Sequence, residues 1–285
     1  MTHLKNFDDK VVVDAEVDSG SDAESEDEEL IDDEKMDTME KVNFDFEAFP
    51  PSPDDADQVN NLLTQIFLRT DIDYDNLSKA VVNLTPFGSV IKSAEEFADE
   101  DNQDCLYGIS SVLPLTAEKN YGIFNFLTSR AKKNADKATS EQLEKLFKDG
   151  SKVGLVINER MLHFPAQIAG PTLNALKEDI KAEKSLNDMD NFIIIVKIRI
   201  SDEELKKEKS EDTEVSYDNN EEALLFEAFP EKFPYFQYPV QSDVENTSKF
   251  AATKKDGITY RPFRKVCLLN KNQLLHFCDT VASAL

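Results

Sequence analysis

Apolar residues recur along this chain with two different periods, which predict strands interleaved with helices. Short runs of alternating or β-branched residues predict strands at 41–49, 86–92, 105–115, 152–160 and 262–270. Apolar residues three and four positions apart predict helices at 54–70, 74–84, 121–133, 139–150, 165–184 and 271–284. The run NFIIIVKIRI at 191–200 is the strongest strand, and its continuous apolar half predicts a central position covered on both faces.

Polar and proline residues refine this pattern. Asp54 is the predicted N-cap of the first helix. The segment 223–241 is rich in aromatic residues, but its three prolines limit any helix. From Phe233 onward it predicts an edge strand, because a missing N–H donor costs least at the edge of a sheet. Strands alternating with helices predict one α/β domain over 41–285, with a mixed central sheet flanked by helices.

Charge separates the N-terminus from the rest of the chain. Residues 1–40 hold 16 acidic residues and three lysines, a net of −13 in a chain whose formal net charge is −25. They contain too little apolar material to offset chain entropy, which predicts a disordered acidic arm. Two acidic inserts follow at 93–104 and 201–222, and the second is predicted to be a mobile excursion from a strand pair.

The domain is therefore acidic as well, with a net charge of −12 over 41–285. Such a surface repels nucleic acid and anionic membranes and favours a basic protein partner. Solubility alone is the alternative explanation. The longest apolar run, FIIIV at 192–196, is far shorter than the roughly 20 residues that span a bilayer. No secretory signal is visible at the N-terminus, so we expect a soluble intracellular protein without membrane insertion.

The three cysteines, Cys105, Cys267 and Cys278, form no CxxC motif. Their number and spacing argue against a disulfide framework and against a zinc module. The acidic loops also lack the spacing of an EF-hand, so we predict no metal site.

Phosphate-binding loops are missing from the sequence. Neither GxxxxGK[ST] nor GxGxxG occurs. The acetyltransferase type of loop, which offers consecutive backbone amides after a central strand, is also missing. Pro165 and Pro171 remove donors at that place, and Gly170 is its only glycine. We therefore predict no cofactor.

Catalytic side chains are few. His3 lies in the acidic arm, and His163 and His276 each lie beside apolar residues, which is typical of structural histidines. A Cys278–His163 dyad stays open as an alternative, because sequence separation does not fix spatial distance. We predict no catalytic residue.

The acidic arm carries candidate phosphorylation sites. Each of three serines has an acidic residue three positions further on, as acidophilic kinases prefer: Ser19, Ser21 and Ser25. Phosphorylation would add roughly −1.5 to −2 charges per site. A chance match within an acid-rich run is the alternative.

The first helix carries a candidate nuclear export signal. Four apolar residues in 59–68 have the spacing of a leucine-rich signal: Val59, Leu62, Ile66 and Leu68. The same positions also fit the buried face of an amphipathic helix, which is the alternative.

Several stretches resemble the Bcp/BCCIP family over roughly 42–285. The most specific is VGLVINERMLHFPAQIAGP within 152–171, where a strand, ER and the FPAQIAGP turn follow in order. VNFDFEAF near 42–49 is next, and GSVIK and PFRKVCLLN add to it. The resemblance implies a fold similar to a GNAT acetyltransferase, without its cofactor loop or its activity.

The resemblance also implies a nuclear protein that shuttles to the cytoplasm as an escort. Fungal members are similar to chaperones of a basic large-subunit ribosomal protein, and they assist nuclear export of a lipid kinase. The candidate signal in 59–68 would add an export receptor as a partner. Animal members add links to DNA repair and cell-cycle control. The insert at 201–222 is net acidic where the animal type carries a lysine-rich segment, which favours the fungal-type role. A cryptic acetyltransferase and an export adaptor acting mainly in cell-cycle or DNA-repair regulation are the alternatives.

Overall fold

The computed structural model describes residues 46–94, 105–115, 122–148, 152–161, 164–207, 214–229, 233–245, 248 and 250–285. The predicted acidic arm, with Ser19, Ser21 and Ser25, lies outside these residues, as do residues 95–104 of the first acidic insert. Disorder of the arm and the boundary at 40/41 therefore stay predictions.

The strands of the described chain belong to one sheet. They are β1 (Phe46–Phe49), β2 (Ser89–Ser93), β3 (Gly108–Leu115), β4 (Val153–Arg160), β5 (Asn191–Ser201), β6 (Ser216–Tyr217), β7 (Tyr235–Pro239), β8 (Thr253–Lys255) and β9 (Ile258–Asn270). The main order is β1-β2-β3-β4-β5-β9-β7, with β6 beside β5 and β8 beside β9. As predicted, β5 is central, and β7 lies at an edge.

Helices cover both faces of the sheet. They are α1 (Ala56–Phe67), α2 (Tyr74–Val82), α3 (Ile123–Asn134), α4 (Lys137–Lys148), α5 (Ala169–Ala182), α6 (Lys184–Asn187), α7 (Glu221–Glu227) and α8 (Lys271–Ala284). The first four pack with one hydrophobic core and the last four with a second core on the other face. No helix in the described part of the chain is long and apolar enough to cross a membrane. The predicted single α/β domain with a mixed, helix-flanked sheet is confirmed.

The hydrogen-bond pattern of the sheet changes at one place. Strands β4 and β5 are parallel, whereas the other strand pairs described are antiparallel. β5 pairs with β9 over its whole length, from Asn191↔Asn270 to Ser201↔Tyr260. This long antiparallel ladder holds the side of β5 that faces away from β4.

Helix α1 begins later than its apolar pattern predicts. A 3-10 turn at Pro53–Asp55 precedes it, and Asp55 rather than Asp54 closes the capping box. The Ser52 backbone N–H donates to Asp55 Oδ2 at 2.8 Å, and Lys92 Nζ lies 2.6 Å from Asp55 Oδ1. The buried carboxylate therefore fixes the start of α1 against β2.

The other end of α1 is held by a buried arginine. Arg264 on β9 is 1% exposed. Its Nη2 donates to the Gln65 carbonyl at 2.7 Å and its Nε donates to the Ile66 carbonyl at 2.9 Å. The last carbonyls of a helix lack intrahelical partners, so this guanidinium caps α1 and anchors it to the sheet.

In the C-terminal third of the chain, the observed elements differ from the predicted ones at three places. Asp256 and Gly257 both have positive φ, 51° and 79°, and join β8 to β9 in a hairpin, so β9 begins at Ile258 instead of 262. Helix α7 forms although prolines were expected to limit any helix nearby, because it ends at Glu227, before Pro230. The second acidic insert is also shorter than predicted, since β6 and the start of α7 fall within 201–222.

Replacing the guanidinium should loosen α1. For Arg264→Met we expect the free energy of unfolding to fall by about 2–4 kcal/mol, because two buried carbonyls lose their donors. Arg264→Lys should restore only part of this loss, since one ammonium does not reproduce the planar fork. Urea unfolding of purified protein measures the change.

Arg261→Met on the same strand is the matched control. Arg261 forms an exposed ion pair with Asp202, with a distance of 2.5 Å between Nε and Oδ1. Losing such a surface pair should cost less than about 1 kcal/mol. Equal losses in the two methionine variants would contradict the anchoring role of Arg264.

Candidate functional site at the divergence of the parallel strands

The parallel strands diverge halfway along their length. β4 and β5 pair only from Val153↔Asn191 to Val156↔Ile194, although β4 continues to Arg160 and β5 to Ser201. Ligands of α/β proteins bind beyond the carboxyl ends of parallel strands, where neighbouring connections part. The gap after Val156 is therefore the candidate functional site.

The returning end of the second acidic insert fills this gap. β6 pairs with β5 at Ile198↔Tyr217, and the Asp218 backbone N–H donates to the Lys197 carbonyl at 3.0 Å. The Glu222 carboxylate accepts the Lys197 backbone N–H at 3.1 Å. Backbone groups that β4 leaves unpaired are thus satisfied by the segment 216–222, as burial requires.

Two ion pairs occupy the gap beside this backbone. Lys197 Nζ lies 2.5 Å from Glu159 Oε1. The Arg160 guanidinium binds the Glu221 carboxylate with two hydrogen bonds, of which Nη2–Oε2 measures 2.6 Å. All four residues are buried. Removing one partner of such a pair leaves an uncompensated buried charge, so the cluster holds its members together.

Glu222 is the fifth ionisable group of this cluster. Burial, and then the nearby negative charge of Glu221, raises the pKa of the Glu222 carboxyl from 4.5 to about 8. Burial lowers the pKa of Arg160, but the hydrogen bonds and charge of Glu221 outweigh that and raise it. With Glu222 protonated, two cations balance two anions, which is the arrangement a buried cluster favours.

A groove opens near the gap, on the face of the sheet that α1 covers. Its volume is about 400 Å³, and its lining combines amide, hydroxyl and apolar side chains: Gln58, Asn61, Leu62, Thr64, Gln65, Leu106, Met161 and Phe250. We call this the α1 groove. Gln65 is 8% exposed, and its side-chain Oε1 has no hydrogen-bond partner. Met161, directly after β4, is 40% exposed.

Backbone contacts fix the residues at the end of the α1 groove. The Leu106 N–H donates to Gln58 Oε1 at 2.7 Å, so the chain before β3 is tied to α1. The Met161 N–H donates to the Tyr107 carbonyl at 2.8 Å. The Tyr107 ring stacks on Phe164 with centroids 5.4 Å apart. Met161 is therefore presented on a held backbone with its side chain partly exposed.

The structure places the candidate export residues in the core. All four are buried on the sheet-facing side of α1 or directly after it: Val59, Leu62, Ile66 and Leu68. An export receptor could read them only if α1 left the sheet. The export signal stays a prediction, and the candidate phosphorylation sites Ser19, Ser21 and Ser25 lie outside the part of the chain that the structure describes.

The alternative Cys278–His163 dyad is only half described, since His163 lies outside the described ranges. Cys278 is buried on α8, and burial raises the pKa of its thiol to about 12. His276 is exposed and packs edge-on against Phe229, with ring centroids 5.3 Å apart. Within the described ranges, no three or more His, Cys, Asp or Glu side chains are grouped to hold a metal ion.

Sequence reasoning missed the residues that define the site. The predicted mobile excursion over 201–222 includes Glu221 and Glu222, whereas both are buried. A signal was available, because Lys197 directly follows five apolar residues of the central strand, and a buried cation requires a carboxylate partner. Nothing in the local pattern marked Gln65 or Met161.

The fold and this site define a class of protein. It is an α/β protein in which two parallel strands diverge, and buried ion pairs of the same chain fill the gap between them.

The BCCIP family model matches residues 41–230. A BCCIP homolog from Caenorhabditis elegans is 32% identical over 267 residues, covering 80% of this chain and 76% of the relative. The BRCA2 and CDKN1A-interacting protein of Bos taurus is 29% identical over 246 residues, covering 81% and 79%. The chain belongs to the BCCIP family, as the resemblance indicated.

One solved structure shares the fold. The crystal structure of BCP1 from Saccharomyces cerevisiae matches with a TM-score of 0.53 and 19% identity, covering 90% of this chain and 92% of that one. Similarity to Arabidopsis thaliana NAA60 in complex with acetyl-CoA is weak, with a TM-score of 0.37 and 9% identity over 80% of this chain and 99% of that one. The first match shows the fold alone, and the second is too weak to indicate a cofactor.

Glu222 should make stability depend on pH. Because its pKa is raised in the folded state, folding is favoured most below about pH 4.5, and this contribution is lost as pH rises towards about 8. We expect a decline of at most about 1.4 kcal/mol per pH unit from this group. Glu222→Gln should flatten the decline, because the amide oxygen still accepts the Lys197 N–H but does not titrate.

Urea midpoints between about pH 5 and 8.5 measure this difference. Glu227→Gln is the matched control, because Glu227 is exposed on the same helix. Its pH dependence should follow that of the original protein. If Glu222→Gln also follows it, Glu222 is ionised in the folded protein throughout.

Proposed function

We propose that this protein is a non-enzymatic nuclear escort that binds a basic large-subunit ribosomal protein and shuttles to the cytoplasm. The observation that carries the proposal is the charge of the α1–α2 surface. Five exposed aspartates lie at the start of α1, between α1 and α2, or in the first turn of α2: Asp54, Asp57, Asp71, Asp73 and Asp75. An acidic surface of this kind raises the rate of encounter with a basic partner and protects the partner from nucleic acid.

The cations near this surface do not cancel its charge. Arg69 is paired with Glu245, and Lys92 is paired with the buried Asp55. Lys79 is the other cation between residues 54 and 82. The negative charge of this surface thus adds to that of the acidic arm and the first acidic insert. In addition, the BRCA2 and CDKN1A-interacting relatives are named for binding other proteins. Both facts support a protein-binding role.

Acetyl transfer is the alternative with a structural motivation, since the parallel strands diverge as they do at cofactor sites. The gap is occupied by Lys197, Glu159 and Glu222 of this chain itself, which supports the non-enzymatic proposal. Titration with acetyl coenzyme A tests the alternative. We expect no thermal stabilisation at millimolar ligand, and a shift of several degrees would favour the enzyme.

Assisted nuclear export of clients, such as a lipid kinase, is the second part of the proposal. If the signal lies in 59–68, the receptor must capture α1 after it leaves the sheet. Arg264→Met, which loosens α1, should then increase the cytoplasmic fraction of the protein. An export adaptor in cell-cycle or DNA-repair regulation would use the same step with other clients.

Leu62→Ala and Ile66→Ala should destabilise the fold by about 2–5 kcal/mol each, because both residues are buried. Urea unfolding separates this effect from trafficking. An export role for α1 would require a folded Leu62→Ala protein to accumulate in the nucleus. A folded variant that shuttles normally would place the signal elsewhere.

The acidic arm should accelerate client binding without being required for it. Deleting residues 1–40 removes a net charge of −13. We expect a several-fold slower association with a purified basic ribosomal protein at about 0.1 M salt, and an unchanged dissociation rate, because screening limits the arm to roughly 10 Å of direct reach. Phosphorylation at Ser19, Ser21 and Ser25 should have the opposite effect on association.

Stopped-flow or biosensor kinetics measure both rates. The complex should persist at about 0.3 M salt if the folded domain contributes a specific surface. Complete loss of binding at that salt, with or without the arm, would reduce the interaction to non-specific polyanion attraction and contradict the escort proposal.

A further inference from the structure

The α1 groove combines three features that point to one kind of occupant. It is of the size of ligand sites, at about 400 Å³ against the roughly 300–1,000 Å³ usual for them. Four of its eight lining residues are apolar, and one of the others, Gln65, has a buried acceptor without a hydrogen-bond partner. We infer that the α1 groove is the docking site for a cationic polypeptide segment that inserts an apolar side chain. The inference rests on the proposed function and assigns the place where its client binds.

The apolar part of the α1 groove would receive the inserted side chain. Leu62 and Leu106 are almost fully buried and form its inner wall, while Met161 and Phe250 stand further out. Methionine adapts its shape to different apolar partners, which suits a site for a flexible segment. Met161 is also one of the large apolar residues that the described chain exposes most, together with Leu205 and Leu285.

The polar part supplies a directed contact. Gln65 Oε1 is buried without a hydrogen-bond partner, and a buried acceptor left unsatisfied costs about 1–3 kcal/mol. This oxygen is not accessible from the groove as it stands, so a backbone N–H or a lysine ammonium of an incoming segment would satisfy it after a rotation of the Gln65 side chain. Because Arg264 binds the Gln65 carbonyl, this side chain is presented from a helix end that the core holds in place.

Charge around the α1 groove selects a cationic segment. Asp57 lies one helical turn before Asn61, on the same side of α1, and Asp54 lies almost one turn further back. A cationic segment would meet carboxylates at this end of the groove, whereas the acidic arm of the same chain would be repelled.

The test uses the full-length protein and two labelled synthetic peptides. The first peptide is Lys-Arg-Lys-Leu-Phe-Lys-Arg-Lys, and the second has Ser-Ser in place of Leu-Phe, so that both carry the same charge. Fluorescence anisotropy at about 0.3 M salt measures each affinity. We expect the original protein to bind the Leu-Phe peptide at least tenfold more tightly than the Ser-Ser peptide.

Two groove variants and two matched controls locate the binding. Asn61→Lys places a cation in the groove, and Met161→Ser removes its exposed apolar side chain. Asn272→Lys repeats the first change on α8, on the opposite face of the sheet, and Leu205→Ser repeats the second at another exposed apolar residue. All four sites are exposed, so the variants should fold, which thermal unfolding verifies.

In the groove variants, the affinity for the Leu-Phe peptide should fall tenfold or more, while the affinity for the Ser-Ser peptide should stay within about twofold. The control variants should change neither affinity. Gln65→Leu should also weaken the Leu-Phe peptide, because it removes the acceptor while keeping the side chain's approximate size. Unchanged affinity in Asn61→Lys and Met161→Ser overturns the inference. Two other results would also overturn the inference. Tighter peptide binding after deletion of residues 1–40 at this salt would identify the arm as the occupant. A concentration-dependent dimer that Met161→Ser abolishes would identify a second copy of the chain as the occupant.

A purified basic ribosomal protein, assayed in parallel, separates this inference from the proposed function. If that protein binds at about 0.3 M salt and the groove variants leave its affinity unchanged, only the location of docking is wrong. If it does not bind to the original protein at all, the escort function itself fails.

Discussion

The open side of β5 is the constraint on which the rest of this structure depends. Once β4 diverges after Val156, the backbone of Lys197 needs partners that β4 no longer supplies. The chain meets that need with Asp218 and with the carboxylate of Glu222, and it neutralises the Lys197 ammonium with Glu159. Part of the second acidic insert, which its composition predicts to be exposed to solvent, is therefore required inside the domain.

The buried ion pairs that fill the gap also lie next to the α1 groove. Glu159 and Lys197 lie on the α1 side of the sheet, as the alternation from Leu155, Ile157 and Ile195 in the core of that face shows. Arg160 projects to the other side, where it holds α7 through Glu221. One cluster therefore closes the strand divergence and supports both faces, while the α1 groove remains open at the end of β4.

Much of the fold follows from local pattern. Period-two and helical spacing located the main strands and helices, and the apolar run of β5 indicated its central position. The missed elements have physical explanations. Helix α7 needed the tertiary partners Arg160 and Lys197 to bury its first two glutamates, and β9 began earlier because Asp256 and Gly257 form the tight turn of a hairpin.

The sequence by itself determined the class of the domain, its acidic character and its family, because periodicity, composition and motif order are local or additive properties. It also marked Val59, Leu62, Ile66 and Leu68 as apolar, without deciding between a signal and a core. Only the tertiary structure decided that these residues are buried, that Glu221 and Glu222 are internal, and that Gln65 and Met161 share a groove. Each of these depends on contacts between segments far apart in the chain, such as Arg264 with α1, which local pattern does not encode.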